Sequence, residues 1–440
     1  MIADFTGGTL SSDGGVLLLR ALDRSLRLTA GLAACYRDER NPRYVEHELP
    51  ELLRQRVLAI ALGYEDLNDH TALRRDPLLA AAAGKLDVLG TQREGAPLAA
   101  PATLNRLETT VDHRASRYHK IVPQAERITD CLLQCAVRTL SRRQRQVIID
   151  LDATHDTVHG RQEGRFFHGY YDCYCYLPLY GFLGDALCWA QLRTADRDGS
   201  DGALAALQRI VVAVRRRCPK ARLLLRADSG FCREELLAWC EGHGVDYLVG
   251  LARNPRLAAV LEPALTRARE QAVLCGGTAR VFTEFSYRTL DTWSRARRVL
   301  GKAERLGDKD NPRFVVTTLA GDPGALYEEV YCARGEMENR IKETQTDLFG
   351  ERLSCHGFAS NQQRLWLAAF AYVLMERLRR IGLRGTTLAE ATAGTIRLRL
   401  LKLAARVEVT VRRVRIRLAS AAPVQALFAQ VWRNLHPVPG

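Results

Sequence analysis

Residues 147–156 read VIIDLDATHD. The apolar positions are Val147, Ile148, Ile149 and Leu151, three of them β-branched, which suits a pleated, buried strand. The pattern predicts a strand starting at Gln146. With a side-chain period of two, Asp150 and Asp152 share one face. Asp152 precedes Ala-Thr at the strand end, whereas Asp150 is embedded within it. Asp152 is therefore the preferred candidate for chemistry and Asp150 its competitor. His155, Asp156 and His159 follow in the loop as supporting polar groups.

Downstream, the same reading builds a sheet. Residues 170–192 are aromatic-rich and predict two further antiparallel strands, with a turn near residues 181–184. A helix is expected over 200–217. RLLLRADSGF (222–231) gives a fourth strand with a loop at Ser229-Gly230, followed by a helix over 233–242, and VDYLVGL (245–251) gives a fifth strand. Three strands, a helix, a strand, a helix and a strand predict an α/β fold with a mixed sheet. Asp228 ends a buried strand, where an open α/β sheet presents its carboxyl edge and ligands gather.

A third acidic candidate lies in YCARGEMENRIKETQ (331–345), which reads as helix. At about 100° per residue, Met337, Ile341 and Leu348 form an apolar stripe. Arg334, Glu338, Lys342 and Gln345 form a polar stripe beside it, so Glu338 sits at the edge of a packed face. Glu336 points to water. Two acidic residues on adjoining strands and a third on a following helix make an oxygen-only donor set suited to Mg²⁺ or Mn²⁺. Two such ions about 4 Å apart serve in-line phosphoryl displacement by activating the nucleophile and stabilising the leaving 3′ oxygen.

The rest of the 440 residues divides around this core. Residues 1–15 are rich in Gly and Ser, and 16–140 repeat apolar residues at helical spacing, which predicts a mainly helical N-terminal domain over 1–140. The core's first part is expected over 146–253, a β-rich insertion over 254–328, and its second part over 329–385. A basic C-terminal region over 386–440 is helix-like at first, then alternating in VEVTVRRVRIRL, and ends in a helix over 424–435. The net charge is +14, and from Arg364 onward fourteen Lys or Arg face three Glu. A one-sided basic balance is the footprint of a polyanion binder. Twelve cysteines form no zinc-like spacing, no signal peptide is visible, and reduced thiols in a cytosolic protein are expected.

DLDATHD around Asp152, RADSGF around Asp228 and YCARGEMENRIKE around Glu338 resemble a DDE-class insertion-sequence transposase of the thirteen-eighty family. The resemblance extends to the Gly-Gly N-terminus and ALGYEDLND. Tyr331, Arg334 and Glu338 match the Tyr-Arg-Glu signature of one branch of that class. The lysine expected at its end is replaced by Gln345, with Lys342 one turn earlier as a substitute. The resemblance implies a ribonuclease H-like catalytic core in which Asp152, Asp228 and Glu338 hold two Mg²⁺, with Mn²⁺ able to substitute. It implies that Tyr331, Arg334 and Lys342 support the site, and that Trp293, with Arg295 and Arg297, contacts DNA by stacking beside basic groups. The implied partners are double-stranded DNA, as terminal inverted repeats and as target, and a second copy of the chain in a bacterial, nucleoid-associated synaptic complex. The rival readings are a non-catalytic DNA-binding relative and a metal-dependent nuclease without strand transfer.

Overall fold

The computed structural model describes residues 1, 3–4, 6–90, 96–110, 116–410 and 412–436. Val411, within the alternating stretch VEVTVRRVRIRL, lies outside the described residues. The chain divides into a sheet unit, Ala136–His155 with Phe166–Arg340, and a helical unit, Met1–Cys135 with Asp156–Arg165 and Ile341–Gly440.

In the sheet unit, strands β1 (Gln146–Ala153), β2 (Leu179–Leu183) and β3 (Ala186–Gln191) run as an antiparallel meander. Helix α1 (Ala203–Arg217) leads to β4 (Arg222–Ala227), which lies parallel to β1. Helix α2 (Glu234–Gly242) then leads to β5 (Val245–Leu251), parallel to β4.

The residues expected to form a β-rich insertion do supply antiparallel strands, but with a helix ahead of them. They begin with a 21-residue helix, α3 (Pro255–Cys275), capped by the Asn254 side chain on the Leu257 amide. Strands β6 (Ala279–Tyr287), β7 (Arg297–Leu306) and β8 (Arg313–Thr317) then extend the same sheet, with β8 antiparallel to β5. The resulting order is β6-β7-β8-β5-β4-β1-β2-β3, and a short strand, Lys309–Asp310, pairs with β7 as the ninth. α3 escaped the sequence reading because its polar and apolar residues alternate weakly and Pro263 lies inside it.

One face of this sheet positions the candidate site. Ile148 of β1, Leu224 of β4, Leu248 of β5, Leu300 of β7 and Val315 of β8 lie in one apolar cluster with Tyr327, Val330 and Tyr331. The chain crossing this face is not one regular helix. It runs as a wide π-type turn over Leu326–Tyr331, a tight turn over Cys332–Arg334 and helix α4 (Gly335–Lys342). Met337 is buried, as its stripe predicts, and Glu336 is exposed.

The helical unit joins the two ends of the chain. Leu10–Ser11 pairs antiparallel with Ala405–Thr410, which pairs in turn with Arg413–Leu418. The expected N-terminal domain and basic C-terminal region thus belong to one unit. Gly15 explains part of the Gly-rich start: a β-carbon there would stand 2.3 Å from Leu401 Cα and 2.5 Å from the Leu400 carbonyl oxygen. Helix Leu49–Leu62 is buried along most of its length, as is helix Phe358–Arg377. Arg56 donates from Nε to Glu108 at 2.6 Å, with both side chains buried. The twelve cysteines, all among the described residues, form no disulfide.

Candidate active site

Strand register brings the first two acidic residues together. In the parallel β1–β4 pair, Leu224 lies opposite Ile148 and Arg226 opposite Asp150. Two residues further along each chain stand Asp152, still within β1, and Asp228, just past the end of β4, and the two carboxylates are close enough to act on one another. The two aspartates of β1 have different fates. Arg226 clasps Asp150 with both branches of its guanidinium, Nε to Oδ1 at 2.7 Å and Nη2 to Oδ2 at 2.8 Å, and both residues are buried. Asp150 is thereby held in a buried ion pair. Arg226 also donates to the Val330 carbonyl at 2.7 Å, tying the sheet to the residue before Tyr331.

Asp152 points to the other partner. Arg334 donates to its Oδ2 at 3.0 Å and bonds Glu338 one turn along. The Asp152 carboxyl is pushed up to about 7, first by burial and then by the Asp228 and Glu338 carboxylates, with Arg334 opposing. Burial disfavours the Arg334 charge, but Asp152 and Glu338 hold its guanidinium charged. Asp228 caps the turn Ser229–Phe231, its Oδ1 accepting from the Gly230 amide at 2.9 Å. Burial, with Asp228 and Glu338 nearby, holds the Tyr331 phenol protonated despite Arg334.

Gly250 gives this corner its shape. A β-carbon at Gly250 would lie 2.7 Å from Tyr331 Oη, 2.8 Å from the Ser229 nitrogen and 3.1 Å from the Asp228 carbonyl carbon. Two of those three neighbours are backbone and cannot swing away. Gly250→Ala should therefore cost about 1–3 kcal/mol of stability, the usual scale of overpacking. Denaturant unfolding checks this; a native midpoint would refute it.

The donor set fits a hard divalent cation by its chemistry: three carboxylates, one desolvated and repelled by the others, with one arginine as counter-charge. Arg334 bridges Asp152 and Glu338 as that counter-charge. Among the described residues, no three His, Cys, Asp or Glu side chains already stand at ligand spacing.

Other sequence candidates are placed differently. Trp293 is 3 % exposed, its ring edge-on to Tyr287 and beneath the Arg297 guanidinium. Arg297 is buried too, clasped by Glu234 and Glu241. Neither presents a free surface, so the trio expected to contact DNA is largely folded into the sheet unit. Arg295 remains exposed, paired with Glu241 at 2.8 Å. Lys342 is exposed at the end of α4. Sequence reasoning missed Arg226 and Gly250. The signal for Arg226 was an arginine stranded in LLLRAD, matched by the aspartate stranded in VIIDL.

In the helical unit, Gln345 donates to Asp156 Oδ1 at 2.6 Å. Burial pushes the Asp156 carboxyl up to about 7, with Gln345 opposing and Glu351 adding. An unfolded aspartate titrates near 3.9. The folded chain thus holds an extra proton between about pH 4 and 7. This contribution to stability is complete below about pH 4 and is lost as pH rises through 7, on the order of a few kcal/mol in all. Asp156→Asn should flatten that decline in pH-resolved denaturation; an unchanged slope would contradict the assignment.

A mixed sheet carrying acidic residues at the ends of two adjacent parallel strands, with a third on the helix crossing its face, defines a candidate metal-dependent phosphoryl-transfer centre. The chain belongs to the family described as transposase DDE domain group 1, whose model matches residues 1–439. No curated protein matches the chain. Among solved structures it is similar to a piggyBac transposase in a synaptic complex with hairpin DNA. The identity is 9 %, with 98 % of this chain and 83 % of that chain covered and a TM-score of 0.43. That likeness is too distant to transfer residue roles. No helix among the described residues is long and apolar enough to cross a membrane.

Proposed function

We propose that this chain is the transposase of an insertion sequence, binding the element's terminal inverted repeats and carrying out DNA cleavage and strand transfer at one site. The observation that carries the reading is the closeness of Asp152, near the end of β1, to Asp228, just past the end of the parallel strand β4, with Glu338 joined to Asp152 through Arg334. The meander followed by two parallel strands supports a ribonuclease H-like core. Asp152, Asp228 and Glu338 would hold the Mg²⁺ or Mn²⁺ ions, which when bound supply activation of water and stabilisation of the leaving 3′ oxygen. Arg334 orients Asp152 and Glu338 and screens their repulsion, and Tyr331 packs at the same corner, where its phenol can donate to a DNA phosphate oxygen. Two element ends brought together imply a dimer in the working complex. Calorimetric titration of Mn²⁺ into the full chain tests the metal assignment. Binding should be present in the native chain and lost in Asp152→Asn and Glu338→Gln. A native chain that takes up no Mn²⁺ would overturn it.

A DNA-binding ribbon is offered by the edge strand Arg413–Leu418. Arg413, Arg415 and Arg417 recur every second residue, a step of about 6.8 Å along one face. Arg417 is paired with Glu408, while Arg413 and Arg415 are exposed and make no ion pair among the described residues. Changing both Arg413 and Arg415 to Gln should reduce the slope of log affinity against log salt by about 0.9 for each phosphate that is no longer neutralised. Fluorescence anisotropy on a random-sequence duplex reads this directly; an unaltered slope would exclude the ribbon.

A further inference from the structure

The hairpin Phe166–His168 / Cys173–Tyr176 carries an aromatic surface that the proposed reaction has not used. Phe167, Tyr170 and Tyr174 are exposed, Tyr170 at 84 %, while Phe166, opposite Cys175, lies on the other face of the hairpin. No aliphatic side chain is exposed between them. Phe167 lies edge-on to Tyr174 with centroids 5.6 Å apart, and Tyr170 edge-on to Tyr171 at 5.0 Å. Tyr171 roots this surface at the carboxylates. It packs against the cluster of Cys175, Leu177 and Ala195 together with Ala153, the residue after Asp152. His155, three residues after Asp152, stacks on Tyr171 with centroids 4.1 Å apart and planes 22° from parallel. The Asp152 and Asp228 carboxylates are close enough to add to the burial that raises the Tyr171 phenol.

The turn holds this arrangement through two bonds to the His168 carbonyl, from the Tyr171 amide at 3.1 Å and the Asp172 amide at 2.9 Å. Asp172 adopts φ 52°, a left-handed conformation that reverses the chain within the hairpin. Its carboxylate is exposed at the turn.

We infer that this hairpin is a stacking platform for unpaired nucleobases of the DNA strand entering the Asp152–Asp228 site. Planar aromatic faces with polar rims suit bases, every one of which has a π-face, so the platform is tolerant of sequence. The Asp172 charge repels phosphates and leaves base faces as the part of a strand that can settle there. His155 on Tyr171 shows that the cluster already accepts a flat heteroaromatic ring in parallel stacking. The platform supplies what buried Trp293 does not present in this structure. The inference rests on the transposase reading, because it needs DNA at the carboxylates.

The test uses the full chain, a fluorescent single-stranded dT12 and a duplex of random sequence without unpaired bases. Tyr170→Ala should weaken dT12 binding by about tenfold, the scale of one stacked base, and leave duplex binding unchanged. Tyr170→Phe, which keeps the ring, should bind dT12 as the native chain does. Tyr170 is so exposed that neither change should disturb folding. Unaltered dT12 affinity in Tyr170→Ala, or equal losses on dT12 and duplex, would overturn the platform while leaving the transposase reading in place. A native chain that binds neither DNA would overturn both.

Discussion

Asp152→Asn should reduce strand cleavage on the order of 10³-fold, the scale of removing one principal electrostatic group from a transition state. It should do so without harming the fold. Asn has nearly the same shape, and the environment disfavours the aspartate charge, since burial and the neighbouring carboxylates push Asp152 up to about 7. At pH 8 the variant should therefore be at least as stable as the native chain, as expected where a group serves function at the expense of stability. Arg334 keeps its bond to Glu338 in the variant. The same change at Asp150 should behave in the opposite way, losing stability by unpairing Arg226. Cleavage and thermal unfolding measured on both variants separate the two aspartates. Retained cleavage in Asp152→Asn would remove Asp152 from the site.

Arg226→Met should destabilise the chain by about 3–5 kcal/mol, because it strands Asp150 in the sheet without a partner. Asp150 is 1 % exposed and Arg226 7 %, so water cannot replace the missing bonds. The double change Arg226→Met with Asp150→Leu should recover much of that stability, since an apolar pair of similar size replaces the ion pair. It should not recover cleavage. The bond from Arg226 to the Val330 carbonyl, which fixes the approach to Tyr331, Arg334 and Glu338, stays absent. Denaturant unfolding of the single and double variants reads the first effect, and cleavage by the double variant reads the second. A single variant as stable as the native chain would contradict the buried-pair account.

The strands that carry the site were legible because their apolar runs are short, β-branched and bounded by turns. VIIDLDA, RLLLRA and VDYLVGL all form strands close to where the pattern ends them. The faces were legible too, since period two alone puts Asp150 with Asp152 and Met337 is buried on its stripe. The different surroundings of Asp150 and Asp152 depend on a partner from a strand more than seventy residues away, which only the β1–β4 register supplies. The extension of the sheet by β6, β7 and β8 was hidden for the same reason: local alternation identifies strands but not which edge they join. Trp293 looked available because it stands among arginines in TWSRARR. In the fold Arg297 turns inward to Glu234 and Glu241 and covers the ring. The irregular winding before α4 had no local signal at all.

The most direct measurement is cleavage of a labelled duplex carrying the element's own terminal repeat, with and without Mg²⁺, by the native chain and by Glu338→Gln. The account predicts metal-dependent cutting at the repeat end by the native chain, and binding without cutting by the variant. Tight binding with no cutting by the native chain in either Mg²⁺ or Mn²⁺ would contradict it and leave a DNA-binding protein whose carboxylates are structural.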